Sequence, residues 1–432
     1  MKWLLVMNGV LAACAGQLLA AAPKPPAQPN IILILADDLG YECIGANGGT
    51  SYKTPVLDKL AKTGIRFEHC YAQPLCTPSR VQLMTGMYNV RNYVAFGRLE
   101  RTQTTFAQLL KKQGYATCVA GKWQLGKEAD SPRHFGFDEA CLWQHMRSKS
   151  RTRPGGGRQD TRYANPALEI NGKEVDYSKG EYGPDLVSDF ICQFIERNKD
   201  KSFFAYYPMI LTHSPFVPTP DSEDWDPKRA GRASTEHFGD MVTYMDKMVG
   251  KIIAKLEALG LRENTLVIFT GDNGTAPTIV SMINGKPIKG GKGEMTDAGT
   301  RVPLIANWPG ITPNGLVSQD LVDFSDFLPT FCEVAGMAVP AELKIDGRSF
   351  LPQLRGERGQ PRDWIYSWYK AGGPNGKEWA RNQRYKLYAT GRFYDISKDV
   401  LERQPITEPS LEEAKIRSLL QQALNQNRDA RH

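Results

Sequence analysis

The sequence lacks several features that define other classes of protein. Beyond its first 22 residues it has no apolar stretch long enough to cross a bilayer, so no transmembrane span is predicted. It has no internal repeat and no long low-complexity tract, which excludes a repeat array. Its eight cysteines include no closely spaced pair of the kind that binds zinc. The formal net charge of +7 is too small to indicate a nucleic-acid-binding protein.

The chain is instead long enough, at 432 residues, to build a large core and more than one domain. Its hydrophobic content of 41% and its charged content of 23% are ordinary for a globular protein. The modest excess of positive charge weakly favours anionic substrates.

The N-terminus has the pattern of an export signal. A short basic start precedes an apolar stretch that reaches Ala22, and a proline-rich segment follows over 23–29. We expect residues 1–22 to be a signal peptide and residues 23–29 an extended linker, which predicts a secreted or periplasmic protein. The run Leu11-Ala12-Ala13-Cys14 also resembles a lipobox, so a lipid anchor on Cys14 is the alternative. Export would allow disulfides among the cysteines at positions 43, 70, 118, 141, 192 and 332.

Along the rest of the chain, strand and helix patterns alternate. A continuous apolar run over 31–36 predicts a central parallel strand, because such strands are buried on both faces. Apolar residues at helical spacing over 56–62 and 241–259 predict helices, each followed by a glycine. This alternation predicts an α/β fold, with a large sandwich domain whose mostly parallel mixed sheet is flanked by helices. The other predicted elements are a helix over 104–113 and strands over 115–120, 203–207 and 266–270.

The character of the sequence changes near residue 340. We expect the large domain to cover residues 30–345 and a smaller C-terminal subdomain to cover residues 346–432. Residues 347–356 have the composition of a connector, and the aromatic-rich stretch 364–396 predicts a short antiparallel sheet. Residues 408–427 predict a final helix.

Residues 147–162 form a basic segment, with six arginines and lysines around Pro154 and three glycines. We expect a mobile insertion; most such segments are solvated loops, and in an enzyme for anions some contact the substrate. His145, which lies just before this segment, is a further candidate for substrate contact. His69 is close to Cys76 in sequence, but a core or surface role is the simpler interpretation.

The run Leu75-Cys76-Thr77-Pro78-Ser79-Arg80 carries the strongest chemical signal. Pro78 favours the first turn of a helix, which places Cys76 at or just before a helix N-terminus. Free backbone N–H groups and the helix dipole favour a bound anion there. Arg80, about one turn further on, can donate two hydrogen bonds to an oxyanion. Taken alone, the pattern fits a buried structural cysteine equally well.

Two acidic pairs follow predicted strands. Asp37-Asp38 comes directly after the first strand, and Asp272-Asn273 comes shortly after the strand over 266–270. Ligand sites in open α/β sheets lie at the carboxyl ends of the strands, so these pairs can converge on one cation. Carboxylate and amide oxygens are hard ligands, which favour Ca²⁺ or Mg²⁺. Either pair alone would more often be a turn or a helix cap.

Together these motifs resemble those of the type I sulfatases, the formylglycine-dependent, arylsulfatase-like enzymes of the alkaline phosphatase superfamily. The run from Cys76 to Arg80 resembles the family signature, and Asp37-Asp38-Leu39-Gly40-Tyr41 resembles its first metal pair. The resemblance extends over nearly the whole chain after the linker and makes 30–345 the sulfatase catalytic domain. Further matching segments, in the order of the family, are Gly121-Lys122-Trp123, His213-Ser214-Pro215, Lys292-Gly293 with Gly299-Thr300-Arg301-Val302-Pro303, Asp346-Gly347 and Phe393-Tyr394-Asp395-Ile396.

The resemblance implies a nucleophile that is not an encoded side chain. A formylglycine-generating enzyme would oxidise Cys76 to an aldehyde, whose hydrate attacks the sulfur of a sulfate ester and later expels sulfate. The resemblance also implies a Ca²⁺ ion, with Mg²⁺ as the alternative. Its ligands would be Asp37, Asp38, Asp272, Asn273 and an oxygen of the modified Cys76.

The resemblance assigns the remaining polar residues to the sulfate group. Arg80 would help to activate the nucleophile and neutralise the sulfate. Lys122 and Lys292 would bind sulfate oxygens and stabilise charge in the transition state. His213 would also bind the substrate, and either His213 or Lys292 would protonate the leaving alcohol.

Gln124 departs from the family pattern, which usually has a histidine two residues after the first lysine. An amide can hold a hydroxyl group by a hydrogen bond, so Gln124 remains a candidate for substrate binding, but it cannot titrate. Proton removal in the second step would then fall to Asp272 or another group.

The leading hypothesis is therefore a sulfuric ester hydrolase that acts on a sulfated small molecule or glycan, either a carbohydrate sulfate or an aryl sulfate. One alternative is a formylglycine-dependent phosphodiesterase or phosphonate monoester hydrolase on the same fold. Another is an inactive relative that binds sulfated glycans, suggested by Gln124 and the basic segment. The presence of Cys76 and of every metal ligand favours an enzyme.

Overall fold

The computed structural model describes residues 28–143, 150–152, 158–226, 233–370, 376–428 and 430. The predicted signal peptide, Cys14, most of the predicted linker and His145 lie outside the described residues, as does much of the basic segment. In the described part of the chain, no helix is both long and apolar enough to cross a membrane.

The described elements alternate between strands and helices along most of the chain. The strands are β1 Asn30–Ala36, β2 Ile65–Tyr71, β3 Ala116–Gly121, β4 Glu139–Trp143, β5 Ser150–Thr152, β6 Arg158–Asp160, β7 Ala167–Ile170, β8 Lys173–Asp176, β9 Phe203–Pro208, β10 Thr265–Gly271, β11 Val280–Ile283, β12 Lys286–Lys289, β13 Arg301–Val302, β14 Leu304–Asn307, β15 Leu316–Asp323, β16 Ile365–Tyr369, β17 Lys377–Arg381, β18 Tyr385–Tyr388 and β19 Phe393–Asp395. The helices are α1 Pro55–Lys62, α2 Cys76–Thr85, α3 Asn89–Asn92, α4 Phe106–Lys112, α5 Ser131–His134, α6 Gly183–Arg197, α7 Phe238–Ala258, α8 Asp297–Thr300, α9 Phe327–Val334, α10 Leu351–Leu354 and α11 Leu411–Arg428.

Eleven strands form one mixed sheet in the order β13-β2-β14-β10-β1-β9-β3-β4-β7-β8, with β15 paired to β2. The centre is parallel: β1 pairs with β10 and β9, and β3 pairs with β9 and β4. The flanking pairs β10–β14, β14–β2 and β4–β7 are antiparallel. The predicted mostly parallel mixed sheet is therefore confirmed.

Helices cover both faces of this sheet because β1 is apolar on both sides. Ile32 and Ile34 pack in a core with α1, α6 and α7, and Ile31, Leu33 and Leu35 pack in a second core with α2, α4 and α9. Alternate residues of a strand point to opposite faces, so one continuous apolar run supplies both layers. This arrangement is the predicted sandwich.

The C-terminal region forms a four-stranded antiparallel sheet in the order β16-β17-β18-β19. Leu420 and Leu424 of α11 pack against Tyr366 and Leu387 of this sheet. The helix begins at Leu411, three residues later than predicted, because Ser410 and Glu413 exchange hydrogen bonds at its start. The predicted boundary between residues 345 and 346 stays a prediction.

Two local expectations differ from the structure. The predicted connector over 347–356 contains the short helix α10. The basic segment contains the antiparallel pair β5–β6, where we expected only a loop. The cysteines at positions 43, 70, 76, 118, 141, 192 and 332 are all free and buried, so the described residues contain no disulfide.

Candidate active site

The two acidic pairs meet at the carboxyl end of the sheet. β1 and β10 are adjacent and in register from Asn30 opposite Thr265 to Ala36 opposite Gly271, so both chains leave the sheet side by side. The Asp38 backbone N–H donates to Asp272 Oδ1 at 3.1 Å. The Asn273 side-chain amide donates to Asp38 Oδ1 at 2.9 Å. The convergence predicted from sequence is present, and all four residues are buried.

Cys76 is the first residue of α2, as the position of Pro78 predicts. Leu75 before it is extended, and Ser79 N–H donates to the Leu75 carbonyl at 3.2 Å, which closes the first turn. All ten residues of α2 are buried, so the helix N-terminus faces the interior of the site rather than bulk solvent. One ligand atom each from Cys76, Asp37 and Asp272 lies within 4.8 Å of the others.

Arg80 lies one turn along α2 and is fully buried. Its guanidinium donates to Asp272 Oδ2 at 2.9 Å and to the Lys122 carbonyl at 2.8 Å, and it lies 3.9 Å from Asp37 Oδ1. In this structure Arg80 therefore joins three segments of the site: α2, the chain after β3 and the chain after β10.

Lys122 follows β3 and contacts both the acidic cluster and Cys76. Its Nζ donates to Asp37 Oδ1 and Oδ2 at 2.8 Å each, and it lies 3.2 Å from Cys76 Sγ. The Lys122 backbone N–H donates to the Pro208 carbonyl at 2.7 Å, which fixes the chain as it leaves the sheet. The ammonium is thus held between a carboxylate and the cysteine.

Lys292 and His213 form the outer side of the same cluster. Lys292 Nζ lies 2.6 Å from Asp38 Oδ2 and 3.1 Å from His213 Nε2. His213 Nε2 lies 3.7 Å from Asp38 Oδ2, and its Nδ1 lies 2.6 Å from the Ser214 carbonyl oxygen. Both side chains are partly exposed, unlike Asp38, so they stand between the buried carboxylates and solvent.

The electrostatics of the cluster are dominated by burial and by paired charges. Burial raises the pKa of Asp37, but the surrounding cationic side chains, Lys122 first, outweigh it and hold the pKa below its usual range. Burial and the nearby Asp37 carboxylate raise the pKa of Asp272. Burial also raises the pKa of the Cys76 thiol to about 11, against the opposing effect of Lys122. The encoded thiol is therefore protonated near neutral pH and is a weak nucleophile.

The two outer groups respond to burial in different ways. Burial lowers the pKa of His213 to about 4, so its imidazole is neutral near pH 7. Burial alone would lower the pKa of Lys292, but Asp38 and other nearby negative groups outweigh this effect and raise the pKa, so the ammonium keeps its charge.

Sequence reasoning did not single out Arg162, which contacts the site from the end of the basic segment. Its guanidinium donates to the Ser214 carbonyl and contacts His213 Nδ1. It stacks over the Trp143 ring at 4.5 Å and pairs with Asp160 at 3.1 Å. The clustering of basic residues was the available signal, but nothing in it distinguished Arg162 from its neighbours.

Gln124 and His69 are held differently from the charged residues. Gln124 has a left-handed backbone with φ of 62°, and its buried Oε1 has no donor among the residues that the structure describes. His69 lies on β2, and its Nδ1 is 3.5 Å from the Tyr71 hydroxyl. Within the described residues, the hydrogen-bond partner of His69 is Tyr71 and not one of the predicted metal ligands, in keeping with a structural role.

A buried cluster of carboxylates and cations lies at the carboxyl end of the parallel strands, around a cysteine at a helix N-terminus, which is a position suited to binding an anion. The family profile described as Sulfatase matches residues 29–337, and the profile described as N-sulphoglucosamine sulphohydrolase, C-terminal, matches residues 291–430. The chain therefore belongs to the sulfatase family, which is part of the alkaline phosphatase superfamily. The sulfatases are sulfuric ester hydrolases.

Curated relatives and solved structures agree with this assignment. N-acetylgalactosamine-6-sulfatase of Mus musculus is 32% identical over 82% of this chain and 71% of its own length. Arylsulfatase A of Homo sapiens is 34% identical over 83% of this chain and 73% of its own length. The crystal structure of Ps i-CgsB in complex with k-i-k-neocarrahexaose superposes with a TM-score of 0.78, at 27% identity, over 93% of both chains.

Proposed function

We propose that this protein hydrolyses a carbohydrate or aryl sulfate ester through a formylglycine made from Cys76, with a calcium ion bound beside it. The observation that carries the proposal is the position of Cys76. Its sulfur lies at the N-terminus of α2, 3.2 Å from Lys122 Nζ and within one cluster with Asp37 and Asp272. Conversion to an aldehyde hydrate would supply two hydroxyl groups, one to attack the sulfur and one whose collapse to the aldehyde would then expel sulfate, which a thiol cannot do.

The residues of the cluster fit a hard divalent cation. The donors are carboxylate oxygens of Asp37, Asp38 and Asp272 and the amide oxygen of Asn273, which are the ligands that Ca²⁺ prefers, with Mg²⁺ as the alternative. Asn273 Oδ1 is buried and has no hydrogen-bond partner within the described residues, which is the state expected of a ligand atom. When bound, the cation would polarise the nucleophile and the sulfate group.

The cationic side chains would bind the sulfate group. Lys122 and Lys292 carry ammonium groups that are donors only, and each already contacts one carboxylate of the cluster. Arg80 keeps Asp272 and the Lys122 segment in place through two hydrogen bonds. These groups would stabilise the charge that develops on the sulfate oxygens in the transition state.

The leaving alcohol would receive its proton from the outer side of the site. His213 Nε2 and Lys292 Nζ lie 3.1 Å apart, so one bound ester oxygen can reach either of them. Near pH 7 Lys292 carries a proton to donate, whereas the neutral His213 would first have to gain one. Gln124 would hold the substrate or a hydroxyl group through its unpartnered amide oxygen, and Asp272 or another group would accept the proton of the second step.

Mass spectrometry of the peptide over 67–80 tests the nucleophile. Trypsin cleavage after Arg66 and Arg80 would release it, and it contains both Cys70 and Cys76. After co-expression with a formylglycine-generating enzyme, we expect Cys76 to carry the aldehyde or its hydrate, while Cys70 stays a thiol as an internal control. A thiol at Cys76 in protein that still hydrolyses sulfate esters would refute the proposed nucleophile.

Activity tests the reaction itself. The co-expressed protein should hydrolyse 4-nitrophenyl sulfate, and a Cys76→Ala variant should lose this activity while keeping its fold. Equal or faster hydrolysis of bis(4-nitrophenyl) phosphate or of a phosphonate monoester would favour the phosphodiester or phosphonate chemistry instead. Binding of sulfated glycans without turnover would support the inactive relative.

We also propose that the protein is exported with residues 1–22 as a cleaved signal peptide. The support is the basic start, the apolar N-terminal stretch and the proline-rich segment that follows it. N-terminal sequencing of protein recovered from its native host tests this. A start between residues 20 and 30 is expected, whereas a lipid-modified Cys14 at the N-terminus would establish the anchored form.

A further inference from the structure

The loop that carries Lys292 is held by the C-terminal sheet. Lys292 lies between β12 and α8, and Met295 follows it by three residues. The Lys386 ammonium, on β18, donates to the Met295 carbonyl at 2.6 Å. The Tyr388 hydroxyl, also on β18, lies 3.3 Å from the same oxygen. Two side chains of the small sheet therefore meet one backbone atom of the loop before α8.

Lys386 has no exposed side-chain surface, which is rare for a lysine unless its charge is compensated. Its Nζ pairs with Glu402 Oε1 at 2.8 Å and lies 3.8 Å from Asp297. It also lies over the Trp379 ring, 4.7 Å from the ring centroid. Burying an ammonium is costly unless such partners surround it, and here they leave one N–H directed at the Met295 carbonyl.

Glu402 completes this attachment from the chain after β19. Its side chain is buried and contacts both the Lys386 ammonium and the Tyr388 hydroxyl. Its backbone is left-handed, with φ of 54°, which is uncommon for a residue other than glycine. Val400 and Leu401 before it are exposed, so the Glu402 side chain points inward from a surface turn. The position of Lys386 is thus fixed from two segments of the C-terminal region.

The same loop is also tied to both sides of the proposed catalytic cluster. The Lys292 backbone N–H donates to the carbonyl of Thr275, shortly after the predicted calcium ligands, at 3.0 Å. The Gly293 backbone N–H donates to the carbonyl of Pro74, shortly before Cys76, at 2.8 Å. Three different parts of the chain therefore hold this short loop, and the place of the Lys292 ammonium depends on all of them.

We propose that Lys386 is a positioning residue for Lys292, and that its hydrogen bond to the Met295 carbonyl sets where the Lys292 ammonium meets the sulfate group. This inference rests on the proposed function, in which Lys292 binds sulfate. The C-terminal sheet would then contribute to sulfate recognition through the backbone of a loop rather than through a side chain that contacts the substrate. A shift of about 1 Å in a binding group can lower a rate about 100-fold, so the contribution is measurable.

Sulfate binding by Lys386→Met tests this role. Methionine keeps an unbranched chain beside Trp379 but removes the ammonium. In calorimetry of the formylglycine-bearing protein in saturating calcium, the Kd for inorganic sulfate should rise about tenfold, and kcat/KM for 4-nitrophenyl sulfate should fall about 10- to 100-fold. Arg362→Met is the matched control, because Arg362 is also buried and precedes β16 but pairs with Asp326. Its sulfate affinity should stay within about twofold of wild type.

A double-mutant cycle separates positioning from a general loss of structure. If Lys386 acts through Lys292, adding Lys386→Met to Lys292→Ala should change sulfate affinity by less than about twofold. Where that affinity is too weak to measure, kcat/KM supplies the same comparison. The same factor in both backgrounds would refute the proposal, as would unchanged affinity in a folded Lys386→Met protein.

A second variant covers the case in which Lys386→Met does not fold. In Lys386→Gln the amide can still bond to Glu402, but the side chain is one bond shorter, which takes it out of reach of the Met295 carbonyl. The expected results and the refuting results are the same as for Lys386→Met. A formylglycine-bearing wild type that neither binds sulfate nor hydrolyses 4-nitrophenyl sulfate would instead refute the proposed function, and the positioning role with it.

Discussion

Replacing Arg80 tests how the charges of the site are balanced. Arg80→Met removes the guanidinium that donates to Asp272 Oδ2 at 2.9 Å and to the Lys122 carbonyl at 2.8 Å. Both Arg80 and Asp272 are fully buried, so the variant leaves a carboxylate without its partner in the interior. Breaking a buried ion pair from one side costs about 3–5 kcal/mol, and we expect the free energy of unfolding to fall by that amount.

Calcium should offset much of this loss. The cluster holds three carboxylates, Asp37, Asp38 and Asp272, against three cationic side chains, Arg80, Lys122 and Lys292, so removing one cation leaves an excess negative charge. A divalent ion bound to the carboxylates would compensate for it. The difference between variant and wild type should therefore be larger in EDTA than in saturating calcium.

Urea unfolding followed by circular dichroism, with and without calcium, measures both effects. Arg362→Met is the matched control, because Arg362 is also buried and its Nε donates to both oxygens of Asp326 at 2.9 Å, apart from the predicted calcium ligands. It should lose a similar free energy in either condition. A loss below about 1 kcal/mol for Arg80→Met, or equal calcium dependence in the two variants, would refute the charge-balance argument.

Three further predictions follow from other parts of the molecule. Asn273→Ala should weaken calcium binding roughly 10- to 100-fold in titration calorimetry, because a buried oxygen ligand is lost; unchanged affinity would remove Asn273 from the ligand set. Burial and the nearby Arg301 lower the pKa of His69 from 6.5 to about 4, so on acidification the unfolded chain binds a proton before the folded chain does. The free energy of unfolding should therefore fall as the pH drops below about 6.5. In urea unfolding, His69→Gln should make the fall between pH 7 and 4.5 smaller by about 2–3 kcal/mol. Arg381→Met should lower the free energy of unfolding by about 3–5 kcal/mol and expose the C-terminal sheet to proteolysis, because Arg381 of β17 forms a buried ion pair with Asp297 of α8. An unchanged rate of proteolysis would contradict this role.

The fold class and the acidic end of the site could be predicted because their signals are local. The apolar run of β1 ends directly at Asp37, and the strand before Asp272 ends in the same way. A parallel sheet brings such ends together without further information. The position of Pro78 likewise predicts where α2 begins.

Contacts made between distant segments could not be predicted from those signals. Lys292 and His213 are 79 residues apart in sequence and meet only because the chains after β9 and β12 return to the same edge of the sheet. The Arg162 contact with His213 depends on how the basic segment folds back, which its composition does not specify. The hydrogen bond from the Gly97 backbone N–H to Thr77 Oγ1 likewise joins positions 20 residues apart and has no motif that predicts it.

The charged residues of the site can recognise the sulfate group but not the rest of the substrate. Lys122 and Lys292 donate to Asp37 and Asp38, the carboxylates proposed to hold calcium. Both ammonium groups are donors only, so a divalent ion on those carboxylates leaves the lysines to an anion, and the site then carries a net positive charge. Charge would therefore select the sulfate group, which every member of the substrate class shares. Discrimination between sulfate esters must then come from contacts with the alcohol part of the substrate rather than from these charges.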